Sequence, residues 1–503
     1  MRLEQFPASI RDYLIAKPGG DLGYDCLGCG ARHKADRLLY TCPDCAGLLN
    51  LTDALDGALS NKSGDFWRSL FDYRQMLNLE PLKGVFLFHE FLAPSIPLQD
   101  ILYLGEGRTP VVEAPEALAE EIGAHFYIKL EGLNPSASFK DRGMAAALSY
   151  LNFLVRTQNL TSVMAVCAST GDTSAAAALY SSALGTAVKS AVLLPKGRVT
   201  AQQLSQPLGA GATVFELPGV FDDCMKVVEK LSDDYQVALL NSKNPWRVLG
   251  QESYAFETAQ RFDYDLSHKV LFVPVGNAGN ITAILSGLLK FYRHKVIEKL
   301  PKIVAVQSER ANPVFLYYNS PKPRTYSPVT VKPSVAQAAM IGDPVSFPRL
   351  AKLVDQYEKI CPHSSFFALE VKEQDIIDCM LLANRRGFTV CTQGGECLAA
   401  LKLALAQGLV GPKERAVLNS TAHALKFSNF QNAYFEDFLK EEYAITAKPY
   451  LVNRPKALEL KNCPKPSGQR PLNPQESEQF VQISAQEIAS TLGLKAKGSG
   501  RIS

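Results

Sequence analysis

A chain of 503 residues has room for two or three domains with large cores. Its 47% hydrophobic and 20% charged residues describe an ordinary soluble globular protein. A net charge of +3, spread along the chain, argues against nucleic acid or an anionic membrane as the main partner, and no apolar run reaches the length of a membrane span.

The start, Met1-Arg2-Leu3-Glu4-Gln5-Phe6, carries an early acid and no signal-peptide core, so a cytoplasmic home is expected. Next come two CxxC knuckles, Cys26-Leu27-Gly28-Cys29 and Cys42-Pro43-Asp44-Cys45, with twelve residues between them. Two such turns bring four thiolates within tetrahedral reach, the pattern of a structural zinc ribbon in which Cys26, Cys29, Cys42 and Cys45 are the metal ligands. An empty ribbon and a redox pair are the competing readings. His33 lies between the knuckles but is superfluous as a ligand. The remaining seven of the eleven cysteines are scattered singly and read as small core residues in a reducing compartment.

Residues 56–100 are mixed helical and aromatic without a chemical motif. Leu104-Gly105-Glu106-Gly107-Arg108-Thr109-Pro110 is a polar turn before a strand at Val111-Val112. From about 125 to 430, short apolar runs alternate with helical stretches. Strands are predicted at 126–130, 162–166, 190–194, 214–217, 270–273, 303–306 and 416–418. Helices between strands imply parallel sheets with right-handed crossovers, so the fold class is α/β. Residues 459–503 turn Pro-, Lys-, Gln- and Ser-rich and read as a mobile tail with one short helix near 485–493.

Four segments within this alternation carry chemistry. In Asn134-Pro135-Ser136-Ala137-Ser138-Phe139-Lys140-Asp141-Arg142-Gly143, Ser138 is a good N-cap for an alanine-rich helix. Lys140 then sits in the first turn, where the helix end disfavours its ammonium form, as Schiff-base chemistry requires. Alone it would read as a surface lysine. Ala168-Ser169-Thr170-Gly171-Asp172-Thr173-Ser174 opens a second helix, and its hydroxyls and free amides form a cradle for a carboxylate. Val275-Gly276-Asn277-Ala278-Gly279-Asn280-Ile281-Thr282 is an anion nest that is neither a dinucleotide fingerprint nor a Walker loop. Leu418-Asn419-Ser420-Thr421-Ala422-His423 ends a strand with hydroxyls able to donate to a ring nitrogen. Pyridoxal 5'-phosphate bound to an amino acid needs all four features.

These motifs, in this order and spacing, resemble threonine synthases, most of all the branch that includes plant enzymes. Asn241-Ser242-Lys243-Asn244-Pro245-Trp246-Arg247, Ile341-Gly342-Asp343-Pro344 and the N-terminal ribbon resemble that family too, so the likeness covers roughly residues 20–430. It implies a tryptophan synthase β-like fold of two parallel-sheet α/β subdomains with the cofactor in the cleft. The expected organisation is a zinc-ribbon segment 1–55, a large cofactor-binding domain 56–145 with 241–458, a small subdomain 146–240, and the tail 459–503.

The resemblance further implies that Lys140 carries the cofactor and that Gly276, Asn277, Ala278, Gly279 and Asn280 hold its phosphate. Thr421 would face the pyridine nitrogen and Asp172 the ring hydroxyl. Ser169, Thr170 and Thr173 would hold the substrate carboxylate, while Asn241, Ser242 and Arg247 would grip the substrate phosphate. The expected reaction converts O-phospho-L-homoserine and water to L-threonine and phosphate. This chain departs from the family at Ser136-Ala137, commonly Thr-Gly, and at Cys391-Thr392-Gln393-Gly394-Gly395-Glu396-Cys397, which usually contains Pro-His. The alternatives are a related enzyme acting on O-phosphoserine, such as a cysteate synthase, and a non-catalytic ligand-binding protein. The sequence leaves the oligomeric state open, a homodimer being the commonest outcome for soluble oligomers.

Overall fold

The computed structural model describes every residue except 1–2, 21, 53–54, 56, 161, 170, 197–200, 220, 236, 362–364, 469 and 496–503. The chain divides into two units, 1–447 and 448–503. In the first unit the strands are β1 (Gly23–Cys26), β2 (Arg32–Lys34), β3 (Leu49–Leu51), β4 (Val111–Glu113), β5 (Phe126–Leu130), β6 (Val163–Ala168) and β7 (Val188–Pro195). They continue with β8 (Thr213–Leu217), β9 (Val237–Leu239), β10 (Lys269–Pro274), β11 (Lys302–Ser308), β12 (Phe366–Val371) and β13 (Arg415–Ser420).

Three sheets result. A small antiparallel sheet has the order β2-β1-β3, a four-stranded sheet β8-β7-β6-β9, and a six-stranded sheet β12-β11-β10-β13-β5-β4. The four-stranded sheet is parallel throughout, and the six-stranded one is parallel except for β4 at its edge. Val270, Leu271, Phe272 and Val273 on β10 are all fully buried, as expected of a parallel strand covered on both faces. Each predicted strand is present. The edge strands β9, of three residues, and β12, of six, were not foreseen.

Every chemistry-bearing segment leaves the carboxyl end of a parallel strand, where open α/β sheets bind ligands. Lys140 follows β5, residues 169–172 follow β6, 241–247 follow β9, 276–280 follow β10, and 421–423 follow β13. The helix Lys140–Thr157 crosses the helix Pro245–Gln251 at close range. A Cβ on Gly250 would lie 2.2 Å from the Arg142 carbonyl, and one on Gly143 would lie 2.8 Å from that of Arg247. Only glycine at both positions lets Arg247 approach the turn that carries Lys140.

A buried ionic network locks the same turn. Arg142 Nε lies 2.6 Å from Glu131 and its NH2 group 2.7 Å from Glu257, which also takes Lys129 at 3.0 Å. Burial alone would raise the Glu257 pKa, but Arg142 and Lys129 outweigh it and hold the carboxyl at about 2.

The second unit contains the helix Pro474–Leu492, longer than the short helix expected near 485–493. Asn473 and Glu476 form a capping box and Gly493 ends the helix at φ 63°. The cap signal Asn473-Pro474-Gln475-Glu476 was readable, but the surrounding polarity obscured it.

Candidate functional site

The segment before Lys140 is tied to the end of β13. Ser138 bridges Ala422, the Phe139 N–H donates to the Thr421 carbonyl (2.9 Å), and the His423 N–H donates to the Ala137 carbonyl (3.0 Å). Lys140 is the first residue of its helix. Ser138 does not cap as expected: its hydroxyl reaches only the Lys140 N–H, at 3.4 Å, because its backbone is engaged in the bridge to Ala422. Ala137, at φ 64°, occupies the left-handed conformation that favours glycine.

One cleft is lined by Lys140, Ser242, Arg247, Gly276 to Ile281, Gln393 and Thr421, among others. Its empty space, open mouth included, is about 620 Å³. Lys140 is half-buried, with Nζ 4.2 Å from the centre of the Phe139 ring. Its pKa falls to about 7, first through loss of hydration, then through the nearby charges of Arg247 and Lys426, with Asp172 opposing. A lysine poised there can both attack and carry protons.

Arg247 is 3% exposed and lies in the cleft. One guanidinium N–H donates to the Leu240 carbonyl at 2.9 Å, and Nε is buried without a partner. Among the described residues no carboxylate pairs with it. Loss of hydration lowers its pKa to about 10. A buried cation without a counter-ion calls for an anionic ligand.

At the glycine loop, Ala278 (φ 58°) is the N-cap of the helix Gly279–Arg293, and Gly279, Asn280 and Ile281 of its first turn line the cleft; a helix start leaves its first amides without intrahelical partners, which suits it to an anion. Asn280 accepts from Asn419 at 2.9 Å. Thr421 lies at the cleft wall with Cys391 Sγ 3.8 Å from its hydroxyl.

Other expected residues stand further off. Ser169 and Thr173 border the start of the helix Asp172–Ser182 but do not line this cleft, and Thr170 lies outside the described residues. Asn241 has both amide ends engaged with Ala168, accepting at 3.1 Å and donating at 2.8 Å, so its side chain holds β6 rather than facing the cleft.

Sequence reasoning missed two residues here. Lys426 bridges Asp172 (2.8 Å) and the Ser136 carbonyl (2.9 Å), joining elements far apart in the chain. Gln393 is 1% exposed, lines the cleft, and has neither amide nitrogen nor oxygen bonded among the described residues. The departure from the usual Pro-His motif was the available signal.

At the N-terminal ribbon, the sulfurs of Cys26, Cys29, Cys42 and Cys45 all lie within 4.8 Å of one another. Cys26 and Cys45 are 3.4 Å apart and Cys29 and Cys42 3.7 Å. Four thiolates at a zinc–sulfur distance of about 2.3 Å would stand roughly 3.8 Å apart, so the set fits a tetrahedral ion. A Cβ on Gly47 would lie 3.1 Å from both Cys26 and Cys45 sulfurs, so glycine keeps the cradle open. His33 Nε2 is 3.4 Å from Cys42 Sγ, within hydrogen-bonding distance of that sulfur.

The pyridoxal-phosphate dependent enzyme family matches residues 102–422. The chain belongs to that family. A protein described as threonine synthase 2, chloroplastic, from Arabidopsis thaliana is 33% identical over 399 residues, covering 78% of this chain and 74% of that protein. Threonine synthase of Methanocaldococcus jannaschii is also 33% identical, over 413 residues, covering 80% of this chain and 92% of that protein. In fold, the chain is similar to the crystal structure of threonine synthase from Escherichia coli, with a TM-score of 0.62 at 17% identity over 94% of this chain and 100% of that one. The architecture of this pyridoxal-phosphate dependent enzyme is the tryptophan synthase β-like fold of parallel sheets and helices. Its cleft fits the cofactor: a lysine of lowered pKa, a helix start and an amide with no partner among the described residues line one space.

Proposed function

We propose that this protein is a threonine synthase, converting O-phospho-L-homoserine and water to L-threonine and inorganic phosphate. The observation that carries this reading beyond a generic pyridoxal enzyme is Arg247, a buried guanidinium in the cleft with no carboxylate partner among the described residues. Pyridoxal phosphate, when bound, supplies an electron sink for the carbons next to the amino group.

The chain's own residues do the rest. Lys140 anchors the cofactor, then removes the α-proton and shuttles protons at the β and γ carbons, a task suited to a pKa of about 7. The backbone amides of Gly276, Asn277, Ala278, Gly279 and Asn280 hold the cofactor phosphate. Thr421 offers a neutral partner to the ring nitrogen, and Asp172, oriented by Lys426, faces the ring hydroxyl. The loop of Ser169, Thr170 and Thr173 is assigned the substrate carboxylate on the resemblance alone, since Ser169 and Thr173 stand outside the lining of the cleft. Arg247 and Ser242 grip the substrate phosphate while Asn241 shapes their loop. The γ carbon–oxygen bond breaks with its electron pair leaving on phosphate, which the forked guanidinium stabilises. Water then adds its hydroxyl at the β carbon.

The same reading makes zinc at Cys26, Cys29, Cys42 and Cys45 structural, because four thiolates leave no open position. It treats 146–240 as a small subdomain beside a large one built from 56–145 and 241–458. Cytoplasmic location and a homodimer complete it; no described helix is long and apolar enough to cross a membrane.

The test is product analysis with O-phospho-L-homoserine and O-phosphoserine side by side. Threonine with one equivalent of phosphate from the former supports the proposal; turnover of phosphoserine alone replaces it with the related activity. Lys140→Ala should abolish both the cofactor's visible absorbance and turnover, and retained turnover would sink the role given to Lys140.

A further inference from the structure

The cysteine ribbon touches both flanks of the segment 241–247. On one side the Leu239 N–H, at the end of β9, donates to the Tyr40 hydroxyl at 2.9 Å; Tyr40 stands two residues before Cys42. On the other, the Trp246 indole N–H donates to the Tyr24 hydroxyl at 3.0 Å; Tyr24 stands two residues before Cys26, and Trp246 adjoins Arg247. Trp246 also stacks on Tyr150, with centroids 3.9 Å apart and planes 12° from parallel, so its position is closely defined.

Arg349 makes the third link. It is 1% exposed and begins no ion pair with a carboxylate among the described residues. Nε donates to Asn50 Oδ1 (3.1 Å), and NH2 donates to the carbonyls of Leu49 (2.6 Å) and Lys243 (3.0 Å). NH1 donates to the Ser242 carbonyl and to the Ser346 hydroxyl, both at 3.3 Å. All five guanidinium donors are therefore used. They join ribbon strand β3 to the backbone of Ser242, whose side lines the cleft, and Ser346 in turn donates its N–H to the Asn277 carbonyl of the glycine loop (3.2 Å). Within the ribbon, Cys26 pairs with Leu49 in register, so holding the cysteines holds β3.

We propose that the ribbon is a positioning element for the anion grip, acting through Arg349, Tyr24 and Tyr40, so that a metal ion on the four cysteines sets how tightly the phosphorylated substrate is held. The inference rests on the assignment of Ser242 and Arg247 to the substrate phosphate. Physically, Arg247 needs its guanidinium held in register with a small anion, and a backbone shift on the order of 1 Å can cost about a hundredfold. Lysine cannot replace Arg349, because one ammonium cannot span five acceptors. Arg349 is a positioning residue: it reaches the ligand only through the loop it holds.

The experiment uses the full-length holoenzyme, with O-phospho-L-homoserine and inorganic phosphate as probes. Arg349→Lys and Tyr24→Phe should each raise KM and weaken phosphate binding by calorimetry, Arg349→Lys by about tenfold or more, while kcat and the cofactor's visible absorbance are retained. Removing metal with a chelator should do the same. It should also move the emission of Trp246, read in a Trp67→Phe background, since the chain has two tryptophans. Lower thermal stability with unchanged KM and phosphate affinity would show a ribbon that only adds stability, and would overturn the proposal. If phosphohomoserine is not turned over, the functional assignment fails, yet the phosphate titration still decides the coupling: unchanged affinity across variants and chelation defeats it. Should Arg349→Lys fail to take up cofactor, Tyr24→Phe and the chelated wild-type protein decide it alone.

Discussion

Lys426 Nζ lies 2.8 Å from Asp172 Oδ1 and 2.9 Å from the Ser136 carbonyl, so a residue after β13 fastens the start of the Asp172–Ser182 helix to the turn before Lys140. Lys426→Met should leave Asp172 buried without its cation. The expected destabilisation is about 1–3 kcal/mol, below the roughly 3–5 kcal/mol of a fully buried pair. Urea unfolding measures it, and Lys426→Arg should recover most of it. Weaker cofactor retention, followed by visible absorbance during dialysis, should accompany the loss.

The pH behaviour of Lys140 follows from its surroundings. Loss of hydration and the charge on Arg247 hold its pKa near 7, so the neutral amine appears as pH rises through that value. Capture of pyridoxal phosphate by cofactor-free protein should therefore accelerate with pH, with a midpoint near 7. Arg247→Gln removes a charge that favours the neutral amine, so the midpoint should move up towards the ordinary lysine value. A midpoint that stays put, or falls, would contradict the electrostatic account.

Ala137 is held at φ 64°, a conformation that costs a residue with a Cβ about 1–2 kcal/mol. Ala137→Gly removes that strain but adds unfolded-state freedom worth about 0.4–1 kcal/mol. The net expectation is a gain of about 0–1.6 kcal/mol, read from chemical denaturation. A clear loss of stability would mean that the alanine methyl makes packing contacts that outweigh the strain.

Gln393 buries an amide whose two polar atoms find no partner among the described residues. An unbonded buried polar group costs about 1–3 kcal/mol. Gln393→Leu should leave the ligand-free protein as stable or more so, while weakening cofactor or substrate binding, because only the bound state satisfies the amide. Thermal unfolding with and without ligand separates the two effects. Lower stability without ligand, together with unchanged binding, would give Gln393 a purely structural place.

The legible part of the site was local. Gly276-Asn277-Ala278-Gly279-Asn280 announces a nest because positive φ and unpaired helix-start amides are properties of a few consecutive residues, and Ala278 adopts φ 58° there. Cys26, Cys29, Cys42 and Cys45 announce a tetrahedral cluster by spacing alone. Strand β10 announced itself as an unbroken apolar run, whereas β9 has only Val237, Ala238 and Leu239 and is held by its neighbour β6 and by Tyr40.

Sequence by itself determined the α/β alternation, the lysine at a helix start and the four strand-end loops, since each depends on neighbours within a turn or two. Only the tertiary structure decided what surrounds them. It turned Asn241 onto Ala168, placed Lys426 on Asp172, left Gln393 without a partner among the described residues, and set Arg349 between Asn50 and Ser242. Arginine, lysine and glutamine carry long side chains whose ordinary place is solvent. Nothing in their near neighbours reports burial; that comes from packing segments hundreds of residues apart, which then supply the acceptors these side chains must have.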